Sequence, residues 1–173
     1  IPPNLMRNQF GFERWEDWDV DLFEKIEESL LSKTRDFHYK IMGFDKSPSA
    51  VKKAIQNIEN AKLEDFIYIK HEDFFKTQKG GDSHLHMVFN PPYGERLDIE
   101  MESFYGAIGS TLKHKYPGTN AWLISSNIEA LKHIGLRPSK KIKIYNAKLE
   151  SRLITYEMYK GSKKTHKLKD KLV

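Results

Sequence analysis

The sequence predicts an α/β fold, a mainly parallel sheet covered by helices on both faces and finished by an antiparallel hairpin. Two observations predict this. Short apolar runs alternate with longer segments of helical periodicity. The last two runs, 140–146 and 151–159, are joined by four residues, too few for a helical crossover, so they pair antiparallel.

The elements follow in order. Trp18, Phe23, Ile26, Leu30 and Leu31 recur at helical spacing within 18–33. Residues 38–45 read as a short strand ending in Asp45. Ser47 and Pro48 form a helix start, a side-chain cap followed by proline at the first helical position. Val51, Ala54, Ile55, Ile58 and Ala61 then mark a helix over 48–61. Residues 66–73 read as a second strand, ending in Asp73. The polar stretch 76–83 is a loop, and 84–90 is a third strand ending at Asn90. Met101, Phe104, Tyr105, Ile108 and Leu112 give the next helix, stopped by Pro117 and Gly118. Residues 120–126 form a fourth strand. Ile128, Leu131 and Ile134 form a short helix closed by Gly135, and the hairpin follows. There is no internal repeat, and no second domain is expected, because the 76–83 loop is too short to link domains.

Composition narrows the function classes. The 173 residues are 39% hydrophobic and 31% charged, with a net charge of +5. That describes a soluble globular chain with enough apolar residues for a core. No apolar run approaches the ~20 residues needed to span a bilayer. The absence of cysteine removes disulfides and thiolate metal sites, and fits a cytoplasmic protein with no metal. The positive balance leans toward a polyanionic partner. It is concentrated after residue 159, where residues 160–173 carry six lysines and one acid. That tail is either a solvated end or an arm that tracks phosphates.

In open α/β sheets, ligands bind beyond the carboxyl ends of the strands. Asp45, Asp73 and Asn90 stand at three such ends. An aspartate there can cap a helix or form a turn. It can also accept both hydroxyls of a ribose, while a second polar end accepts from the amine of an adenine. The run Asn90-Pro91-Pro92-Tyr93 is more specific. Two prolines fix two φ angles and remove two N–H donors, leaving a stiff run of carbonyls. With the Asn90 side-chain oxygen they can accept both protons of an –NH2 group and turn its lone pair outward. Tyr93 offers a face on which a base can stack.

Asn-Pro-Pro-Tyr after a strand resembles the motif of amino-group methyltransferases that use S-adenosylmethionine. The longer string "NPPYGERL" is similar to the THUMP-associated RNA guanine-N2 methyltransferases, the RlmL-like 23S rRNA group. Members are often labelled N6-adenine-specific DNA methylases. "NQFGFERWEDWD", "MGFDKSPSAVKKAIQNIENAKLED" and "LRPSKKIKIYNAKLESRLITYEMY" resemble further segments of that family, along nearly the whole chain. The resemblance implies a class I S-adenosylmethionine-dependent methyltransferase sheet, Rossmann-like. It implies Asp45 on the cofactor ribose, Asp73 on its adenine with Phe74 nearby, and Asn90, Pro91, Pro92 and Tyr93 as the catalytic amine-holding loop. Tyr93 and Arg96 would be substrate contacts, although Arg96 could equally pair with Glu95 or Asp98.

One departure matters. The family opens its catalytic domain with a strand and a Gly-rich loop that cradles the methionine part of the cofactor. No such loop is found here: Gly80 and Gly81 fall in a polar loop, and Gly106 and Gly109 on a helix face. The chain starts Ile-Pro-Pro-Asn without an initiator Met. The expectation is a partial catalytic domain over 1–159 with a basic tail at 160–173. It lacks the first strand, whose place is between 38–45 and 84–90, and it needs an upstream segment of the same protein as partner. The leading function is methyl transfer to guanine N2 in RNA, with 23S rRNA as substrate. The alternatives are an N6-adenine DNA methyltransferase and a catalytically silent RNA-binding module.

Overall fold

The computed structural model describes residues 9–93 and 100–160. The chain divides into two units, Ile1–Phe74 and Phe75–Val173.

The first unit begins with an aromatic cluster. Phe10 stacks on Phe12 at 5.1 Å, and Trp18 meets Phe23 at 5.0 Å. Asp19 accepts the Leu22 N–H at 2.9 Å and so starts helix α1, Val20–Leu31, two residues after Trp18. Strand β1 (Ile41–Asp45) and strand β2 (Ile67–His71) pair in parallel, with Ile41 opposite Ile67 and Asp45 opposite His71. A parallel pair needs a crossover. Helix α2, Pro48–Asn60, supplies it, with Ser47 as cap and proline in the first turn as the sequence predicts. The strand expected over 66–73 stops at His71. Its partner β1 ends at Asp45, and the Glu72 N–H makes the final bond to the Asp45 carbonyl at 3.0 Å. Asp73 therefore lies beyond the strand rather than at its last position.

The second unit holds strand β3 (Leu85–Phe89), helix α3 (Met101–Lys115), strand β4 (Thr119–Ser125) and a 3-10 turn at Ala130–Ile134. Strands β5 (Lys140–Asn146) and β6 (Leu149–Met158) complete it. The sheet order is β3-β4-β6-β5, and β6 runs opposite to the other three strands. The hairpin link is two residues, Ala147 and Lys148, shorter than the four expected. Leu149 already pairs with Asn146, a backbone bond that the apolar pattern does not reveal. Ala147 takes φ 53°, as a two-residue hairpin turn requires. The expected helix near 128–134 is a 3-10 turn, ended by Gly135 at φ 67°.

Alternation along β4 buries Thr119, Ala121, Leu123 and Ser125. Leu123 sits beside Ile154 and Ala121 beside Tyr156. Tyr105, Ile108 and Leu112 of α3 are buried with them, as are Leu131 and Ile134. Gly109 lets the 3-10 turn approach: a Cβ there would stand 1.8 Å from the Ile134 carbonyl oxygen. Among the described residues, β1 pairs only with β2, and β3 only with β4. No helix among them is long and apolar enough to cross a membrane.

Candidate active site

Each unit carries polar residues at the carboxyl ends of its parallel strands, where α/β sheets bind ligands. In the first unit Asp45 is the last residue of β1 and is exposed. One of its oxygens accepts the Ser47 N–H at 2.7 Å, shaping the turn into α2. The turn-forming reading of Asp45 is thus realised. It does not exhaust the carboxylate, which has a second oxygen with lone pairs to offer. Asp73 is half-buried just past β2, and Phe74 opens a 3-10 turn, also half-buried. The register sets the ends of β1 and β2 side by side, so both acids belong to one sheet edge.

In the second unit Asn90 follows β3 directly and is exposed, while Pro91 is buried. The loop is fastened through its carbonyls, because its prolines have no N–H to give. Tyr105 Oη donates to the Pro92 carbonyl at 3.2 Å. Asn127 Nδ2 donates to the Tyr93 carbonyl at 2.9 Å. Tyr105 Oη also lies 2.7 Å from Ser125 Oγ, which accepts the Asn127 N–H at 3.1 Å. Burial holds the Tyr105 hydroxyl above the ordinary tyrosine range, against the lowering effect of Ser125, so it stays a donor at neutral pH. The run of free carbonyls expected from sequence is therefore shorter. Pro92 and Tyr93 are engaged, and among the described residues the Asn90 side-chain oxygen and the Pro91 carbonyl have no hydrogen-bond partner. Tyr93 is half-buried, and its hydroxyl is buried without a hydrogen-bond partner among the described residues.

Tyr105, Ser125 and Asn127 are the residues that sequence reasoning missed. Tyr105 read as part of an apolar helix stripe, yet a buried tyrosine hydroxyl needs a partner, and that was the available signal. Arg96 lies outside the described residues, as does most of the basic tail. Lys160 pairs with Asp82 at 2.5 Å on the surface, and this bond holds the Asp82 carboxyl below its ordinary range.

The fit to an adenosyl cofactor is tested by donor chemistry. A carboxylate at the end of β1 and a second acid beyond β2 suit the hydroxyls and amine of a nucleoside. The glycines of the 76–83 loop do not form a cradle, since a Cβ on Gly80 or Gly81 would meet nothing within 4 Å. The methionine half has no counterpart among the described residues.

Comparison with known proteins decides the family. Residues 1–154 match the family described as RMKL-like, methyltransferase domain. The chain belongs to that family. Among curated members, "Ribosomal RNA large subunit methyltransferase K/L" of Hahella chejuensis is 34% identical over 169 residues. The match takes 92% of this chain and 23% of that protein. The same-named protein of Allochromatium vinosum is 29% identical, over 91% of this chain and 22% of its own length. This RMKL-like chain thus spans less than a quarter of these relatives. In structure it resembles SMU.472 in complex with SAH, with a TM-score of 0.75 and 24% identity over 90% of this chain and 42% of that one. A predicted N6-adenine-specific DNA methylase from Listeria monocytogenes aligns at a TM-score of 0.58 and 28% identity, over 68% of this chain and 30% of its own. The fold is that of the class I methyltransferases, as the sequence predicts.

Proposed function

We propose that this chain is part of a cytoplasmic enzyme that transfers a methyl group from S-adenosylmethionine to an exocyclic amine of RNA. We take the acceptor to be guanine N2 in 23S rRNA. The observation that carries the reading is the fastened Asn90–Tyr93 loop at the end of β3, with two oxygens left for an amine. The rRNA methyltransferase names of the K/L relatives support the substrate.

The cofactor, when bound, supplies an electrophilic methyl on a sulfonium. Asp45 would hold its ribose hydroxyls and Asp73 its adenine amine, with Phe74 nearby. Asn90 and Pro91 do the positioning. An amine conjugated to a base is a poor nucleophile because its lone pair is drawn into the ring. Accepting both its protons pulls the nitrogen toward a tetrahedral shape and aims the lone pair. The base must leave its stack to reach the loop, and Tyr93 then supplies a stacking face. Arg96 and the basic tail contact the RNA backbone.

The chain does not act alone. An upstream segment of the same protein brings the Gly-rich loop and a strand for the open edges of β1 and β3. The open edges support this, since unpaired inner strands leave backbone groups without partners. So do the exposures of Ile41, Met42 and Phe44 in β1, at 49%, 59% and 41%.

The test is methylation of undermethylated 23S rRNA, and of DNA, by the intact protein and its Asn90→Ala variant. Guanine-N2 product from rRNA, reduced about 10²-fold by the substitution, is expected. Activity confined to DNA would move the substrate to adenine N6. RNA binding without any binding of S-adenosylhomocysteine would leave a silent module instead.

A further inference from the structure

We infer that Tyr105 and Asn127 are positioning residues of the amine-holding loop, and that together they determine which of its carbonyls face the substrate. The inference rests on the amine-transfer reading above. It begins from what prolines leave undone. A proline ring fixes φ and leaves ψ soft, and ψ sets where each carbonyl points. Two adjacent prolines cannot tie the loop with backbone donors of their own. The stiffness of Pro91-Pro92 is therefore only half the specification of the loop, and the rest must come from outside the motif.

The two donors come from distant parts of the chain. Tyr105 stands on α3, thirteen residues beyond Pro92, and Asn127 follows β4, thirty-four residues beyond Tyr93. Their directions are set by a one-way relay. The Tyr105 proton goes to the Pro92 carbonyl. The Ser125 proton is then the one shared with Tyr105 Oη, which leaves Ser125 Oγ to accept the Asn127 N–H. Hydrogen bonds chained in one direction polarise each other. The Asn127 amide is oriented too: its Oδ1 accepts the Ala130 N–H at 2.9 Å, so Nδ2 must face Tyr93. Tyr105 and Ser125 are each 0% exposed, so water does not compete.

The consequence is selective. With the peptide planes after Pro92 and Tyr93 held, the Pro91 carbonyl lies between a ring-locked φ and a pinned neighbour. It is left to accept the amine beside Asn90. Without the two donors, the Pro92 and Tyr93 carbonyls are released, and several oxygens compete for the same protons.

The experiment compares Tyr105→Phe, Asn127→Asp and a control, Tyr116→Phe, in the intact protein. Tyr105→Phe keeps the ring and removes one oxygen. Asn127→Asp keeps the acceptor for Ala130 and removes the donor to Tyr93. The Tyr116 hydroxyl bonds Thr77, away from the loop, and the residue is also buried, at 4% exposure. Expected is a fall in kcat of about 10-fold for Tyr105→Phe, and more for Asn127→Asp, where an acceptor then faces the Tyr93 carbonyl. S-adenosylhomocysteine affinity and KM should stay within about twofold of wild type. The control should lose thermal stability with kcat unchanged. Independently of turnover, the Tyr93 backbone amide resonance should be single in wild type and control, and broadened or doubled in both loop variants. Wild-type kcat in both variants overturns the inference, as does an unaltered Tyr93 resonance in both. A wild type that methylates no amine overturns the amine-transfer reading instead, and the Tyr93 resonance then decides by itself whether the two donors hold the loop.

Discussion

The two units of this chain are built from similar elements and packed very differently. In the second unit α3 and the 3-10 turn bury Tyr105, Ile108, Leu112, Leu123, Ile154 and Tyr156. In the first, Val51 is the one apolar side chain that reaches burial among the described residues, at 9%. Yet α1 and α2 have well-formed apolar stripes, and Leu22, Ile26 and Leu30 of α1 remain 48–62% exposed. An open groove lined by Ile55, Ile58, Ile67 and Ile69 runs along α2 and β2. The difference separates two requirements that are easily merged. A stripe makes a helix amphipathic, and only a surface to cover makes it stable. The second unit has that surface in its own sheet. The first has two strands, too few to form a stable layer.

The comparison can be broken by mutation. Leu112→Ala should cost about 2–5 kcal/mol, as a large buried side chain leaves a cavity. Leu30→Ala should cost less than about 0.5 kcal/mol in this chain, as an exposed site does. Urea unfolding read at Trp122 reports the second unit, with Trp15 and Trp18 replaced by Phe. Reading Trp18 alone reports the first. Similar costs at the two sites would end the contrast. The glycines sharpen it. Gly109→Ala meets a backbone carbonyl that cannot yield, and should cost about 3 kcal/mol by the same measurement. Gly43→Ala meets only the end of the Ile69 side chain, at 2.6 Å, which can rotate away, and should cost less than about 1 kcal/mol.

Smaller effects follow from single groups. Ser47→Ala removes the α2 cap, whose oxygen accepts the Ala50 N–H, and should cost about 1 kcal/mol. Loss of amide protection confined to the first turn of α2 would be the signature. In the second unit burial pushes the Tyr156 hydroxyl up to about 12 from its ordinary 10.0. The folded state thus holds this proton more tightly than the unfolded chain. Its contribution is complete below pH 10 and is lost as pH rises from 10 to 12. Tyr156→Phe should flatten the fall in melting temperature across that window and leave the slope below it unchanged. An identical alkaline limb in the variant would assign the loss to other groups.

Much of the site was legible along the chain because its signals are local. Ser47-Pro48 caps a helix wherever it folds, and Asp45 does form the turn before it. Asn90 does follow a strand, and the proline pair does remove donors. What was not legible depended on partners. The second strand looked longer because its residues favour extension, but a strand ends where its neighbour ends. Tyr105 looked like a core residue, which it is, and its hydroxyl acquired a task only when Pro92 came within 3.2 Å. Nor could periodicity tell a 3-10 turn from an α-helix over the five residues from Ala130 to Ile134.

By itself the sequence determined the alternation of strands and helices, the Ser47-Pro48 helix start and the family resemblance, because the signals for each lie along the chain itself. The tertiary structure alone decided which oxygens of the Asn90–Tyr93 loop are engaged, since their donors lie thirteen and thirty-four residues away. It alone decided which apolar stripe becomes a core. Burial is a property of two surfaces meeting, and a stripe in the sequence specifies only one of them.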